Sequence, residues 1–111
     1  MASNIVRFDS YRTKDFSAIT GSYTAVGSPF AHPMRVLHFI NKTDADLSIS
    51  FDGINDNTVI AANGFALYDL TSDQDRTESF RYEQGTQVFV KQITVPSTGT
   101  LYLVAIYGKG E

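Results

Sequence analysis

Along most of this chain, apolar residues recur at every second position. The clearest stretch is Leu47-Ser48-Ile49-Ser50-Phe51-Asp52, where Leu47, Ile49 and Phe51 alternate with Ser48, Ser50 and Asp52. A period of two puts the apolar set on one face of a strand and the polar set on the other. Just upstream, Arg35-Val36-Leu37-His38-Phe39-Ile40 is apolar on both phases, the pattern of a central strand covered on both sides. The polar link Asn41-Lys42-Thr43-Asp44-Ala45-Asp46 predicts a turn between them, and the three segments together predict a hairpin. Further strands are predicted over 57–61, over 65–70 after Ala62-Asn63-Gly64, over 87–95 and over 100–107. Pro96-Ser97-Thr98-Gly99 reads as a second hairpin turn between the last two. Shorter strands are expected over 16–19 and 23–26, on either side of Thr20-Gly21-Ser22.

Residues 71–78 open like a helix, but no apolar face follows, so they predict an exposed loop with one helical turn at most. About eight short strands at turn spacings of roughly 8–12 residues define an all-β class. The expectation is an antiparallel β-sandwich, jelly-roll or immunoglobulin-like. Its expected core is Val36, Phe39, Ile40, Leu47, Ile49, Phe51, Leu67, Val88, Val90, Leu101, Leu103 and Val104.

The length of 111 residues fits one domain. We divide it into an N-terminal segment or arm, 1–14, and a single sandwich domain, 15–111. The chain has no cysteine, which removes disulfides, cysteine zinc sites and cysteine nucleophiles. The net charge of −3 argues against a nucleic-acid partner, which would call for a basic stripe. No stretch approaches the roughly 20 apolar residues of a membrane span. The first eight residues carry no apolar h-region, and no signal peptide is expected.

Charge is unevenly spread. Residues 44–83 hold nine acids against Arg76 and Arg81, whereas residues 1–14 hold Arg7, Arg12 and Lys14 against Asp9. The N-terminal segment also carries Ile5, Val6, Phe8 and Tyr11. Two expectations follow: an ordinary strand of its own sandwich, or an arm that crosses to a neighbour. In the second, Arg7, Phe8, Tyr11, Arg12 and Lys14 are the partner-binding residues, with the bases near acidic loops of the neighbour.

Candidate chemistry is sparse. The histidines are His32, between two prolines, and His38, inside an apolar strand; there is no Gly-x-Ser-x-Gly elbow. No catalytic residue, cofactor or enzyme activity is expected. Asp52-Gly53-Ile54-Asn55-Asp56-Asn57 is an oxygen-rich loop, with Asp44 and Asp46 at a nearby turn, and calcium uses such loops. The spacing is not that of an EF-hand, and Asp, Asn and Gly also build ordinary turns, so no metal is assigned. Six tyrosines and no tryptophan leave a sugar platform as a rival to plain sheet faces.

Several segments carry a family resemblance: Ser22-Tyr23-Thr24-Ala25-Val26-Gly27-Ser28-Pro29-Phe30-Ala31-His32-Pro33-Met34-Arg35, then residues 41–46, Ile49-Ser50-Phe51-Asp52-Gly53 and Asn55-Asp56-Asn57. Leu67-Tyr68-Asp69-Leu70-Thr71, Gly85-Thr86-Gln87-Val88 and Tyr102-Leu103-Val104-Ala105-Ile106-Tyr107 continue it. Over roughly residues 17–108 the chain resembles a family of small structural proteins of tailed bacteriophages. The resemblance implies a non-enzymatic virion protein, made in the host cytoplasm. Its implied partners are other virion proteins (major capsid, neck or tail subunits) and copies of itself. Capsid decoration or head-to-tail connection is the expected place, since the chain has no long fibre shaft or receptor-binding tip. A tail-associated carbohydrate- or receptor-binding module is the alternative.

Overall fold

The computed structural model describes residues 5–69 and 82–108, and among these it contains nine strands and one short 3-10 turn. The strands are β1 (Val6–Phe8), β2 (Arg12–Asp15), β3 (Thr24–Ala25), β4 (Val36–Asn41), β5 (Leu47–Ser50), β6 (Thr58–Ile60), β7 (Phe65–Asp69), β8 (Phe89–Gln92) and β9 (Thr100–Gly108). They form two antiparallel sheets that pack as a sandwich. One runs β1-β9-β4-β7, with β2 also on β9, and the other runs β3-β8-β5-β6. Residues 70 and 71–78, read above as a strand end and a loop, lie outside the described residues.

The strand order resolves the choice between sandwich topologies. Among the described strands, β5 and β6 are the only consecutive pair hydrogen-bonded to each other. From β2 onward each of the remaining connections passes from one sheet to the other, which is the winding of a jelly roll. Both predicted hairpins at 41–46 and 96–99 are therefore corrected. β4 and β9 belong to the five-stranded sheet, β5 and β8 to the four-stranded one, and the two links are crossovers.

A buried polar corner holds those crossovers. Asn41, fully buried on the inner face of β4, donates through Nδ2 to the carbonyls of Ala45 (2.9 Å) and Ala61 (3.0 Å). Its Oδ1 accepts from the Thr43 amide (3.0 Å) and hydroxyl (2.6 Å). Asp44 then accepts from the Ser97 amide and hydroxyl, joining one crossover to the other. Gly99 lies against this junction with φ 98°, and a Cβ there would stand 2.1 Å from the Lys42 carbonyl oxygen. Only glycine satisfies both the angle and the space.

The core lies between the sheets. Leu37 and Phe39 of β4 and Leu101, Leu103 and Ala105 of β9 meet Leu47 and Ile49 of β5, Val90 of β8 and Ile60 of β6. Loop residues Ile19, Val26, Phe30, Met34 and Val88 close it. Leu67 is corrected out of the core, being 55 % exposed on the opposite face of β7. Val36, Ile40 and Val104 are half-buried on the phase that faces away from the second sheet. The strand expected over 16–19 is instead a single 3-10 turn, Phe16–Ala18. Its local cause is Asp15, whose carboxylate accepts from the Ser17 amide (3.2 Å) and hydroxyl (2.6 Å) and so caps the turn.

The N-terminal segment sits on the edge of this chain's own sheet. Phe8 opposes Ile106 and Arg12 opposes Leu103, so three residues of the edge strand face two of β9. That is a β-bulge, and it shifts the register by one. The Asp9 amide donates to the Ala105 carbonyl within it (2.9 Å), and the Arg12 guanidinium pairs with Asp9 across it (3.0 Å).

Candidate docking face

In an antiparallel pair, directly opposed residues share a face. The registers therefore read out the outer face of the five-stranded sheet in three rows. One row is Phe8, Ile106, Val36 and Asp69. The next is Val104, His38 and Leu67. The third is Thr13, Tyr102, Ile40 and Phe65. Asp69 is the one Asp, Glu, Lys or Arg among these eleven positions, and eight are Phe, Tyr, Ile, Leu or Val.

Phe8, Leu67 and Phe65 are 70, 55 and 71 % exposed, and Tyr11, above Tyr102 at 6.0 Å between ring centroids, is 64 % exposed. His38 meets Phe65 edge to face at 5.8 Å. Tyr11, Ile40, Lys42, Tyr102 and Val104 enclose a shallow apolar depression of about 560 Å³ within the face. Exposed apolar patches of this extent mark interaction sites.

The outer face of the four-stranded sheet is built differently. Its rows are Lys91, Ser48 and Val59, and Ala25, Phe89 and Ser50. The Tyr23 hydroxyl lies 2.7 Å from the Ser48 hydroxyl and donates to the Asp56 carboxylate. Lys91 pairs with Asp56 at 3.2 Å and stands 4.8 Å above the Tyr23 ring. The bond from Tyr23, and then Lys91, hold the Asp56 carboxyl below its usual range. Burial, followed by the bond to Asp56, pushes the Tyr23 phenol up, so the proton stays on the tyrosine.

Loop 51–57 folds over the same side, with Gly53 against the Phe89 ring. Asp52 is its hub. Its carboxylate accepts from the amides of Ile54 and Asn55 (both 2.8 Å), the Ser50 hydroxyl (2.8 Å) and the Asn55 side chain (2.7 Å). The amides of Asn55 and Ile54, chiefly, hold this carboxyl well below the usual carboxylate range. Ser48 and Ser50 are consequently buried although they point away from the core.

The loop considered for calcium thus spends Asp52 on its own backbone, while Asp44 caps Ser97 and Asp46 accepts from the Ala62 amide. The three carboxylates are directed to three different partners. Among the described residues, no three His, Cys, Asp or Glu side chains gather as a metal-binding group.

The sequence-derived docking residues are divided by the structure. Phe8 and Tyr11 lie on the apolar face. Arg7 opposes Tyr107 on the other phase of β1, and Lys14 opposes Leu101 at the sheet edge. Arg12 is only 9 % exposed. It pairs with Asp9, donates from Nε to the Ser28 carbonyl (3.1 Å) and covers the Phe30 ring at 5.1 Å, so its cation serves the fold. Of the histidines, His32 stacks flat on Tyr107 at 3.9 Å, and His38 lies inside the apolar face.

Sequence reasoning assigned Ile40, Val104 and Leu67 to the core and so missed most of this face. The available signal was that β4 and β9 are apolar on both phases. In an antiparallel sandwich one face of each sheet normally meets water, so a doubly apolar strand points to a second covering layer.

No protein-family model matches the chain, and no curated protein matches it. Among solved structures, the SPP1 Dit (gp 19.1) protein, described as a paradigm of the hub adsorption apparatus in phages infecting Gram-positive bacteria, aligns with 94 % of this chain at 11 % identity and a TM-score of 0.43. The chain spans 49 % of that protein's length. A likeness of that depth leaves the function to be read from this chain's own surface.

Proposed function

We propose that this chain is a non-enzymatic structural protein of a tailed-phage virion, placed at the head or neck, which works by docking the outer face of its five-stranded sheet. The observation that carries the reading is the contiguous, exposed apolar face centred on Ile40, Tyr102, Phe65 and Leu67. A sandwich needs only one apolar face per sheet to fold. The second apolar face has its use in assembly, where weak contacts are multiplied over many copies. The resemblance over residues 17–108 supplies the virion context.

Quantitative mass spectrometry of purified particles, separated into heads and tails, tests the proposal. It requires stoichiometric amounts of the chain in the head or neck fraction. Finding it only in the unassembled lysate removes the virion role, and finding it only in tails removes the head or neck position.

A second reading has one observation in its favour. Tyr11 and Tyr102 present two rings at the open depression beside Lys42, a surface on which a sugar ring can stack. Glycan-array binding by the isolated chain, lost in Tyr11→Ala, would move the assignment to a carbohydrate-binding module.

A further inference from the structure

We infer that the apolar face takes the same face of a second copy of this chain, packed sheet to sheet about a two-fold axis. The inference rests on the docking role proposed above and names its occupant.

The first argument is area. Phe8, Tyr11, Phe65 and Leu67 are each more than half exposed. With large aromatic side chains at 150–250 Å² each, and with the half-buried β4 and β9 residues between them, the face offers roughly 700 Å². A standard stable interface takes about 800 Å² from each partner. The face is therefore close to the size of one whole interface, where a single pocket for a side chain would need far less.

The second argument is charge. The two rows through His38 and Ile40 contain no acid and no Lys or Arg; the formal charges stand at the ends, Asp69 at one and Lys42 at the other. A neutral face gives no electrostatic preference for a strongly acidic or basic partner. It does meet its own copy without like charges in the centre, as a self-complementary two-fold interface requires.

The third argument is shape. Facing sheets pack about 10 Å apart through aliphatic and aromatic side chains. This face offers that layer in Val36, Ile40, Val104, Ile106, Phe65 and Leu67, a composition like that of the sandwich's own interior. The other outer face cannot do the same, because loop 51–57 and the Tyr23–Asp56–Lys91 cluster already lie on it.

Sedimentation equilibrium of the full chain tests this at roughly 50 μM, above the micromolar dissociation constants of weak interfaces of this size. The expected mass is twice the 12.3 kDa of the chain. Phe65→Glu/Leu67→Glu should sediment at the single-chain mass with an unchanged strand signature in circular dichroism. Phe8→Lys/Tyr11→Lys, at the far edge of the same face, should do likewise and covers the case in which the first pair fails to fold. Val59→Glu on the other sheet should leave the dimer intact.

A wild-type chain at the single-chain mass overturns the inference, as does a dimer that survives both double variants. A monomeric wild-type chain that still needs Phe65 and Leu67 to enter particles also overturns it, and gives the face to a different virion protein. The particle measurement above stays independent. A dimer absent from particles ends the virion reading, and a monomer present in them ends only the pairing.

Discussion

The two outer faces of this sandwich answer the same problem in opposite ways. On the four-stranded sheet, Phe89, Ser48 and Ser50 are covered by the chain itself, through loop 51–57 and the Tyr23–Asp56–Lys91 cluster. On the five-stranded sheet, Phe65, Leu67, Phe8 and Tyr11 are left open among the described residues. Both sheets bury their inner faces equally well, so folding does not require the difference. It separates a surface closed within the chain from a surface the described chain leaves open.

The largest expected effect compares two phenylalanines on neighbouring strands. Phe39 is fully buried and meets Tyr68 edge to face at 6.1 Å, while Phe65 points outward. Phe39→Ala should cost about 3–5 kcal/mol in urea unfolding. Phe65→Ala should stay within about 1 kcal/mol in a monomeric background, as exposed substitutions do. Equal costs would mean that the outer face is packed within the chain and that the contrast is false.

The next prediction strips the covered face. Gly53 has φ 78°, and a Cβ there would stand 3.3 Å from the Phe89 ring. Gly53→Val should cost about 1–3 kcal/mol in strain. It should also raise binding of a hydrophobic dye as the loop lifts from Phe89. Dye binding that stays at the wild-type level would show that the loop is not what covers this sheet.

Tyr23→Phe should have a smaller effect, about 1 kcal/mol, since it removes the bond to the buried Ser48 hydroxyl and the exposed bond to Asp56, whose carboxylate water can resolvate. The same change at Tyr11, which stands open on the apolar face, should leave urea unfolding unmoved. Losses of equal size would remove the distinction between a tyrosine that ties and one that waits.

The smallest effect concerns acid. The folded-state pKa of Asp52 is depressed, so its contribution is present above the unfolded value near 4 and is lost as pH falls through the lowered folded value. Stability of the loop should therefore fall only in strong acid, below about pH 4, and Asp52→Asn should flatten that part of the profile. Dye binding followed between neutral and acid pH measures it. An acid transition unchanged in Asp52→Asn would assign it to other carboxylates.

Much of the architecture was legible in the alternation of residues, and the failures have a common physical cause. Where one phase is polar, as in β5, both the strand and its buried face could be read: Leu47 and Ile49 are core. Where both phases are apolar, as in β4 and β9, the strand could be read but its buried face could not. Leu37 and Ala105 are core, and Val36, Ile40 and Val104 belong to the outer face. Turn chemistry at 41–46 and 96–99 correctly marked chain reversals. It could not say whether the chain returned to the same sheet, because that depends on the distant contacts of Asn41, Asp44 and Gly99. Phe8 and Tyr11 stand exposed on the outer face, as a segment without a clear core role leads one to expect. The burial of Arg12 could not be read, because its partners, Ser28 and Phe30, are brought to it only by the fold.

The bulge at Asp9–Tyr11 decides which side chains this border of the surface presents. If the register of β2 ran on unbroken, Asp9 and Arg7 would fall into line with Ile106 and Gly108, and Phe8 and Val6 would turn to the other side. The one additional residue reverses that assignment and writes phenylalanine and valine where an aspartate and an arginine would stand. A one-residue slip of β1 that closed the bulge would leave the inner strands in place, yet turn this border of the outer face from oily to charged. The bulge thus acts as a latch that keeps this border apolar.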